Sequence, residues 1–385
     1  MKRFAKIFIA AVAVSLAAVA LSTGCALREF GQVPQDVSSY EALPYFADGK
    51  FRNLEGDMPF YPNRVRGGKP SRYRHLFPSS NAPETALPMI KLGKDDFAEA
   101  PEELAVYWLG HASFIIELEG KRFLVDPVFG NAAPIPFAVQ RYGPTPLKRK
   151  DLPLPDYVLI THDHYDHLEY ATIRHFKDKE TLFIVPLGVG SHLLKWGVPP
   201  EKIRELGWGD AFSEFSKGDI SIVAERAVHF SARTWSSRND TLWVSYVLKG
   251  NQRRVFISGD TGYGEHFRDI GEKHGPFDIA FFEIDAWNSG WPKSHLFPTE
   301  VIRAYHDVRA VSLVPVHWGV FDLALHPWDE SIRMVAALAD EDGKVNLLTP
   351  LMGEKLIPGR TEVSRWWEGL SPSRNESGTV ALDPN

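Results

Sequence analysis

Apolar positions along the chain gather into short runs separated by turn-forming residues, and the rhythm of those runs predicts the elements. Residues 104–109, 114–118 and 122–125 read as three strands joined by Gly110-His111-Ala112-Ser113 and by Glu119-Gly120-Lys121, a meander that stops at Asp126-Pro127. Beyond a Pro-rich stretch, residues 156–160, 181–185, 203–206 and 220–226 read as strands, with helices over 169–176 and 190–196 between the first three. Residues 243–249 and 254–258 form a further hairpin, and 277–282 and 311–314 are buried strands. Helices over 299–306 and 331–339 complete the pattern. Meander followed by strand–helix alternation predicts an α/β fold of stacked sheets and helices.

The ends of the chain read differently. Met1-Lys2-Arg3 and Lys6 precede an apolar stretch, 7–21, in which Ser15 is the one polar residue. That is the pattern of a secretory signal and is short for a membrane span. Leu21-Ser22-Thr23-Gly24 leads directly into Cys25, a context that resembles a bacterial lipoprotein signal despite Ser22. The resemblance implies lipidation of Cys25 and export to the bacterial cell envelope, at the outer membrane or the periplasmic face. Residues 26–101 are loop-like but carry Tyr40, Tyr45, Phe46, Phe51, Phe60 and Tyr61, more aromatics than a disordered linker, and are expected to be a tether and an arm lying on the main domain. The catalytic domain is expected over 102–365 and a frayed polar tail over 366–385.

Composition narrows the classes. With 385 residues and 44% hydrophobic content the chain can bury a large core, and a net charge of −6 without a long Lys/Arg block argues against a nucleic-acid partner. A single cysteine leaves no intramolecular disulfide and no thiolate metal ligand in the exported chain.

The candidate chemistry centres on Thr161-His162-Asp163-His164-Tyr165-Asp166-His167, which follows a buried strand at once. Alternate residues of an extended segment share a face, so His162 and His164 turn toward one ion, while Asp166 and His167 are offset toward a second. Imidazole with carboxylate suits Zn and, less well, Mn or Fe. His229, Asp260 and His317 each lie, like His162, just past the C-terminal end of a predicted strand, where α/β folds gather their catalytic residues.

This set resembles the metallo-β-lactamase superfamily of binuclear metallohydrolases over roughly residues 104–355. The resemblance implies a four-layer αββα sandwich, here with an N-terminal extension. It puts His162, His164 and His229 on one metal, Asp166, His167 and His317 on the other, and Asp260 between them. Asp126 would orient a ligand histidine. Within the superfamily, His164-Tyr-Asp-His-Leu168, Val185-Pro-Leu-Gly188, Gly259-Asp-Thr-Gly-Tyr263, Gly275-Pro-Phe-Asp278 and His317-Trp-Gly319 resemble the N-acylphosphatidylethanolamine-hydrolysing phospholipase D family. His295 falls where that family has a histidine close to the metals, although Ser294 before it departs from the expected amide.

The activity so implied is phosphodiester hydrolysis on a phospholipid-type substrate, with lactone hydrolysis and a non-enzymatic envelope scaffold as alternatives. Two zinc ions roughly 3.5–4 Å apart lower the pKa of a bridging water and supply hydroxide. Asp166 and Asp260 complete the charge balance, and His295 binds a phosphate oxygen or protonates the leaving group. Arg233 and Lys293 are candidates to neutralise a phosphate. Trp235, Trp287 and Trp291 are candidates for an acyl-chain pocket or for contact with the bilayer, and His326 for approach to the site. The expected partners are a phospholipid or small-molecule ester and the membrane holding the lipid anchor.

Overall fold

The computed structural model describes residue 24 and residues 27–56, 58–66, 81–135, 138–214 and 220–370. Cys25 and the apolar leader lie outside the described residues. Among the described residues no helix is long and apolar enough to cross a membrane.

The arm opens with a small hairpin, β1 (Phe46–Ala47) and β2 (Lys50–Phe51). The predicted meander is β3 (Leu104–Gly110), β4 (Ser113–Leu118) and β5 (Lys121–Val125). β6 (Tyr157–Leu159), β7 (Leu182–Pro186) and β8 (Ile203–Leu206) continue it in parallel, crossing over through α1 (Tyr170–Phe176) and α2 (Gly190–Lys195). The second sheet takes β9 (Ala211–Ser213), β10 (Ser221–Glu225), β11 (Ser245–Lys249), β12 (Arg254–Ile257), β13 (Ile279–Glu283) and β14 (Leu313–Val316). Its first four strands are antiparallel and its last three parallel, with α3 (His266–His274) and α4 (Pro298–Asp307) as crossovers. α5 (Glu330–Asp342) follows, and β15 (Lys355–Leu356) returns to the edge of the first sheet beside β3.

The two sheets pack face to face, with helices outside, as a four-layer αββα sandwich. Period-2 alternation along β3 shows the layering: Val106 and Trp108 join the core between the sheets, while Tyr107 and Leu109 join the cluster containing Ile173 and Phe176 of α1 and Leu193 of α2. Across the inter-sheet core Phe114 stacks on Phe281 with centroids 4.3 Å apart. Each such fully buried ring contributes about 1.5–3 kcal/mol through removal from water. Both faces of β13 are covered, which is why its sequence is apolar from Ile279 to Phe282 rather than alternating.

The arm lies on this domain. Tyr40, Phe46 and Phe51 pack together within the core, and the Tyr45 ring sits 4.5 Å from that of Trp208. Asn53 then meets the main chain of His229, donating to its carbonyl at 2.9 Å and accepting from its amide at 3.2 Å. The expected boundary of the tail is corrected. Trp366–Gly369 forms a 3-10 turn with Trp367 fully buried and Trp366 stacked on Trp318, centroids 5.3 Å apart. Two indoles hold the chain there more strongly than its polar surroundings suggest. Residues 371–385 lie outside the described residues.

Candidate metal centre

The strand ends deliver the site. β6 runs into the 161–167 turn, β10 into His229, β12 into Gly259-Asp260, and β14 into His317. Gly259 is needed where it stands: its φ is +58°, and a Cβ would meet the Val244 carbonyl at 2.8 Å. His111, Asp126 and His317 also hold left-handed φ values of 53°, 39° and 68°. Such values in residues other than glycine cost about 1–3 kcal/mol each and cluster at functional sites.

Donor atoms from these turns fall into two groups that meet at Asp260. In the first, His162 Nε2 is 2.8 Å from His164 Nδ1, and His229 Nε2 is 3.4 Å from that same nitrogen. Asp260 Oδ2 lies 3.8 Å from His162 Nε2 and 3.7 Å from His229 Nε2. In the second, Asp166 Oδ2 lies 3.6 Å from His167 Nε2 and 3.5 Å from His317 Nε2. Asp260 reaches this group as well, Oδ1 at 3.2 Å from His167 Nε2 and Oδ2 at 3.1 Å from His317 Nε2.

The outer nitrogens are tied down, which fixes the tautomers. Asp126 accepts from the Thr161 amide and hydroxyl at 2.8 and 2.6 Å and sits 2.8 Å from His167 Nδ1. With its proton given to Asp126, the Thr161 hydroxyl is left to accept from His162 Nδ1 at 3.1 Å. His229 Nδ1 donates to the Ser294 carbonyl at 2.9 Å. In the neutral ring, Nε2 of each of these three histidines therefore presents a lone pair inward.

Charge follows the same division. Burial, reinforced by neighbouring imidazoles, holds His162 well below its ordinary pKa; burial does the same to His229 and lowers His164. Burial also works against protonated His317 and His167, yet the carboxylates win. Asp260 and Asp166 push His317 up to about 10, and with Asp126 they hold His167 well above its usual value. Asp166 and Asp260 stay well below the carboxylate range because His167, above all, outweighs their burial.

His167 Nε2, His317 Nε2 and Asp260 Oδ1 are buried without a hydrogen-bond partner although they converge. Desolvated polar atoms so placed are costly unless something joins them, and imidazole with carboxylate is a donor set for a divalent ion. The residues fit metal binding.

A cleft of about 390 Å³ opens on this floor, where His164, Asp166, Asp260, His295 and His317 are reached. His295 Nδ1 stands 3.4 Å from Glu283 Oε2 and 4.0 Å from Asp260 Oδ2. The walls are apolar: Met58 and Phe60 of the arm, Phe230, Trp291 and Leu323. Arg238 is the cation of the lining; its guanidinium lies 4.3 Å over the Phe230 ring.

Five residues expected at the substrate pocket stand elsewhere. Arg233 is buried behind the heptad, where its guanidinium donates to the carbonyls of Glu29, Asp163 and Leu168 and lies over the Tyr165 and Trp196 rings. Trp235 projects wholly into solvent. Trp287 is buried, donates to Ser331 Oγ and stacks on His326, whose Nε2 faces Asp285 at 3.1 Å. Lys293 is exposed outside the lining, whereas Trp291 does line the cleft.

Sequence reasoning also missed residues. His111 puts Nε2 3.0 Å from Asp166 Oδ2 and its ring 3.9 Å from that of His317. It directly follows β3, so the strand-end signal that marked the others was present. Glu283 at the end of β13 carried the same signal. Asn53, Phe230, Arg238 and the 58–60 segment gave no local signal.

Fold and site together define a metal-dependent hydrolase. Residues 121–318 match the family model described as the beta-lactamase superfamily domain, and the chain belongs to the metallo-β-lactamase superfamily. An uncharacterized protein of Mycobacterium tuberculosis is 37% identical over 338 residues, 85% of this chain and 88% of its own. N-acyl-phosphatidylethanolamine-hydrolyzing phospholipase D 1 of Caenorhabditis elegans is 34% identical over 274 residues, 67% of this chain and 76% of that protein. Isothiocyanate hydrolase from Delia radicum gut bacteria, at 19% identity, shares the fold with a TM-score of 0.53 over 66% of this chain and 98% of its own.

Proposed function

We propose that this hydrolase is a binuclear zinc phosphodiesterase that cleaves a phospholipid-type substrate at the bacterial cell envelope, held there through lipidated Cys25. The observation that carries the reading is the composition of the cleft. Two donor groups share Asp260 at the floor, the walls are apolar, and Arg238 has no carboxylate partner among the described residues. An anionic diester with an apolar substituent matches all three features. The relative in Caenorhabditis elegans, named for hydrolysis of N-acyl-phosphatidylethanolamine, supports the same class.

His162, His164 and His229 would hold one ion, Asp166, His167 and His317 the other, with Asp260 shared. Ions there supply Lewis acidity toward a phosphoryl oxygen and a nucleophilic water at neutral pH. The protein's own groups do the rest. Asp126, Thr161 and the Ser294 carbonyl keep three imidazoles in the ligating tautomer. Arg238 draws a non-bridging oxygen toward the floor, and Phe230, Trp291 and Phe60 exclude water from the apolar substituent. His295, backed by Glu283 at Nδ1, offers Nε2 to protonate the leaving alkoxide as its bond to phosphorus breaks.

The test is metal analysis together with a panel of a bis-aryl phosphate, a glycerophospholipid, a lactone and a cephalosporin. About two zinc ions per chain, with diester cleavage that disappears in Asp260→Asn, is the expected result. Lactone opening with every diester intact would replace this reading by a lactonase. An envelope phenotype that survives Asp260→Asn would replace it by a scaffold.

A further inference from the structure

We propose that the face carrying Leu27, Leu194 and Trp235 is the surface by which the protein lies on an anionic lipid bilayer, with the mouth of the cleft beside it. The proposal rests on the envelope placement above, but on separate residues. Of the eleven tryptophans in the sequence, ten are buried or half-buried, and Trp235 alone is 105% exposed. It forms the tip of the loop whose two ends, Phe230 and Arg238, line the cleft.

The same loop meets the beginning of the described chain. Arg233, two residues before the tip, donates to the Glu29 carbonyl at 2.8 and 2.6 Å. Trp196 Nε1 donates to the Arg28 carbonyl at 2.8 Å, and the Gln32 amide donates to His192 Nδ1 at 2.9 Å. Leu27 (64% exposed) and Leu194 of α2 (48% exposed) thus stand near one another around Trp196. Arg28, Arg174 and Lys195 are exposed in the same neighbourhood, Arg174 reaching the Trp196 carbonyl at 3.4 Å.

A bilayer fits this surface better than a protein does. Scattered large apolar side chains among cations suit insertion at an anionic lipid interface, where tryptophan concentrates, whereas a stable protein interface buries about 800 Å² on each side around an apolar centre, more than three separated side chains offer. The apolar run 7–21 ends six residues before Leu27, a span that reaches at most about 20 Å even when extended. Because the chain at 28–32 is pinned to α2 and to the 230–238 loop, a leader or lipid held in the membrane keeps that loop against it.

The test uses the full chain reconstituted into phosphatidylglycerol–phosphatidylethanolamine vesicles whose acyl chains are brominated. Bromine is expected to quench tryptophan fluorescence, and Trp235→Phe to remove at least half of the quenchable part. Leu194→Ser is expected to reduce the quenching of Trp235. Equal quenching in wild type and Trp235→Phe would overturn the proposal. So would shielding of Trp235 from acrylamide that grows with protein concentration in detergent without lipid, since that marks contact between copies. The readout needs no turnover, so quenching without diester cleavage upholds the surface and rejects the activity, and cleavage of a soluble diester without quenching does the reverse.

Discussion

The floor and the rim of the cleft are built by opposite means. At the floor, each donor stands at or just past a strand end, is buried or nearly so, and three of the five imidazoles have a second partner that fixes the ring: Asp126 behind His167, the Ser294 carbonyl behind His229, Thr161 behind His162. The rim is assembled from the arm at 58–60, the 230–238 loop, the 291–295 segment and Leu323. It is held by ring contacts such as Phe60 on Trp291, centroids 6.4 Å apart, and Arg238 over Phe230. A rigid, desolvated floor sets the type of reaction, because misplacing a donor strands a buried charge. A half-exposed rim can change its side chains without threatening the fold, so substrate choice resides there.

The largest effect should come from the residue both donor groups share. Asp260→Asn removes a charge that lies within 4.0 Å of five imidazoles, and activity is expected to fall by roughly 10³-fold or more, the scale for a central catalytic group. Bound metal should fall by one ion or more per chain while the far-ultraviolet circular dichroism is unchanged. Full metal content in this variant would show that the two groups do not depend on Asp260. One step outward, Asp126→Asn leaves one acceptor oxygen where the Thr161 amide and His167 Nδ1 had two, so one of those N–H groups faces an amide donor. Metal affinity is expected to drop about 10–100-fold, as for other groups that orient a ligand, measured by competition with a chromophoric chelator.

The same contrast explains what was legible in the sequence. Strand runs and turn residues give an α/β pattern of stacked sheets and helices, legible because both faces of each sheet are covered and short apolar runs bounded by turns mark the strands; the four-layer αββα arrangement came from the family resemblance. The floor was legible because the heptad packs four donor residues into one turn and its distant partners repeat one position, just past a strand. His111 occupied that position too, but a lone histidine in a Gly-His-Ala-Ser turn lacks a neighbour to single it out. The rim was not legible because its contacts are long-range. Arg233 and Arg238 are five positions apart with similar surroundings in sequence. Ser237 Oγ accepts the amides of Arg233 and Thr234, folding the loop so that Arg233 goes inward and Arg238 remains at the cleft. Trp287 and His326 stack on each other beside Asp285, away from the cleft, and Trp366 finds Trp318 only in the folded chain.

A smaller effect should come from the rim. Arg238→Gln removes the unpaired cation but not the metal donors. KM for an anionic diester is expected to rise about tenfold, the equivalent of one charge-assisted hydrogen bond, with kcat within about twofold. Turnover of a neutral ester or lactone should be unaffected. An equal loss on neutral and anionic substrates would mean that Arg238 shapes the cleft rather than reading charge.

The effect expected to leave catalysis at neutral pH least disturbed lies beneath the floor. His266 opens α3, is buried, and sets Nε2 3.3 Å from Thr261 Oγ1. That hydroxyl accepts the Val228 amide at 2.9 Å, linking the turns of Asp260 and His229. Burial, with Arg226 adding to it, pushes His266 down to about 3 from an ordinary value of 6.5. The imidazole is therefore neutral in the fold while the unfolded chain takes up a proton below pH 6.5. Its contribution to stability is complete above that pH and is lost progressively as pH falls toward about 3, with a slope of up to about 1.4 kcal/mol per pH unit. His266→Gln keeps a polar side chain that does not titrate. Urea unfolding between pH 8 and pH 4.5 should then show a shallower loss of stability than wild type, by up to about one proton's worth of slope, with near-normal activity at pH 7.5. Parallel curves for the two proteins would show that His266 is already protonated in the fold, and that acid reaches the floor through another group.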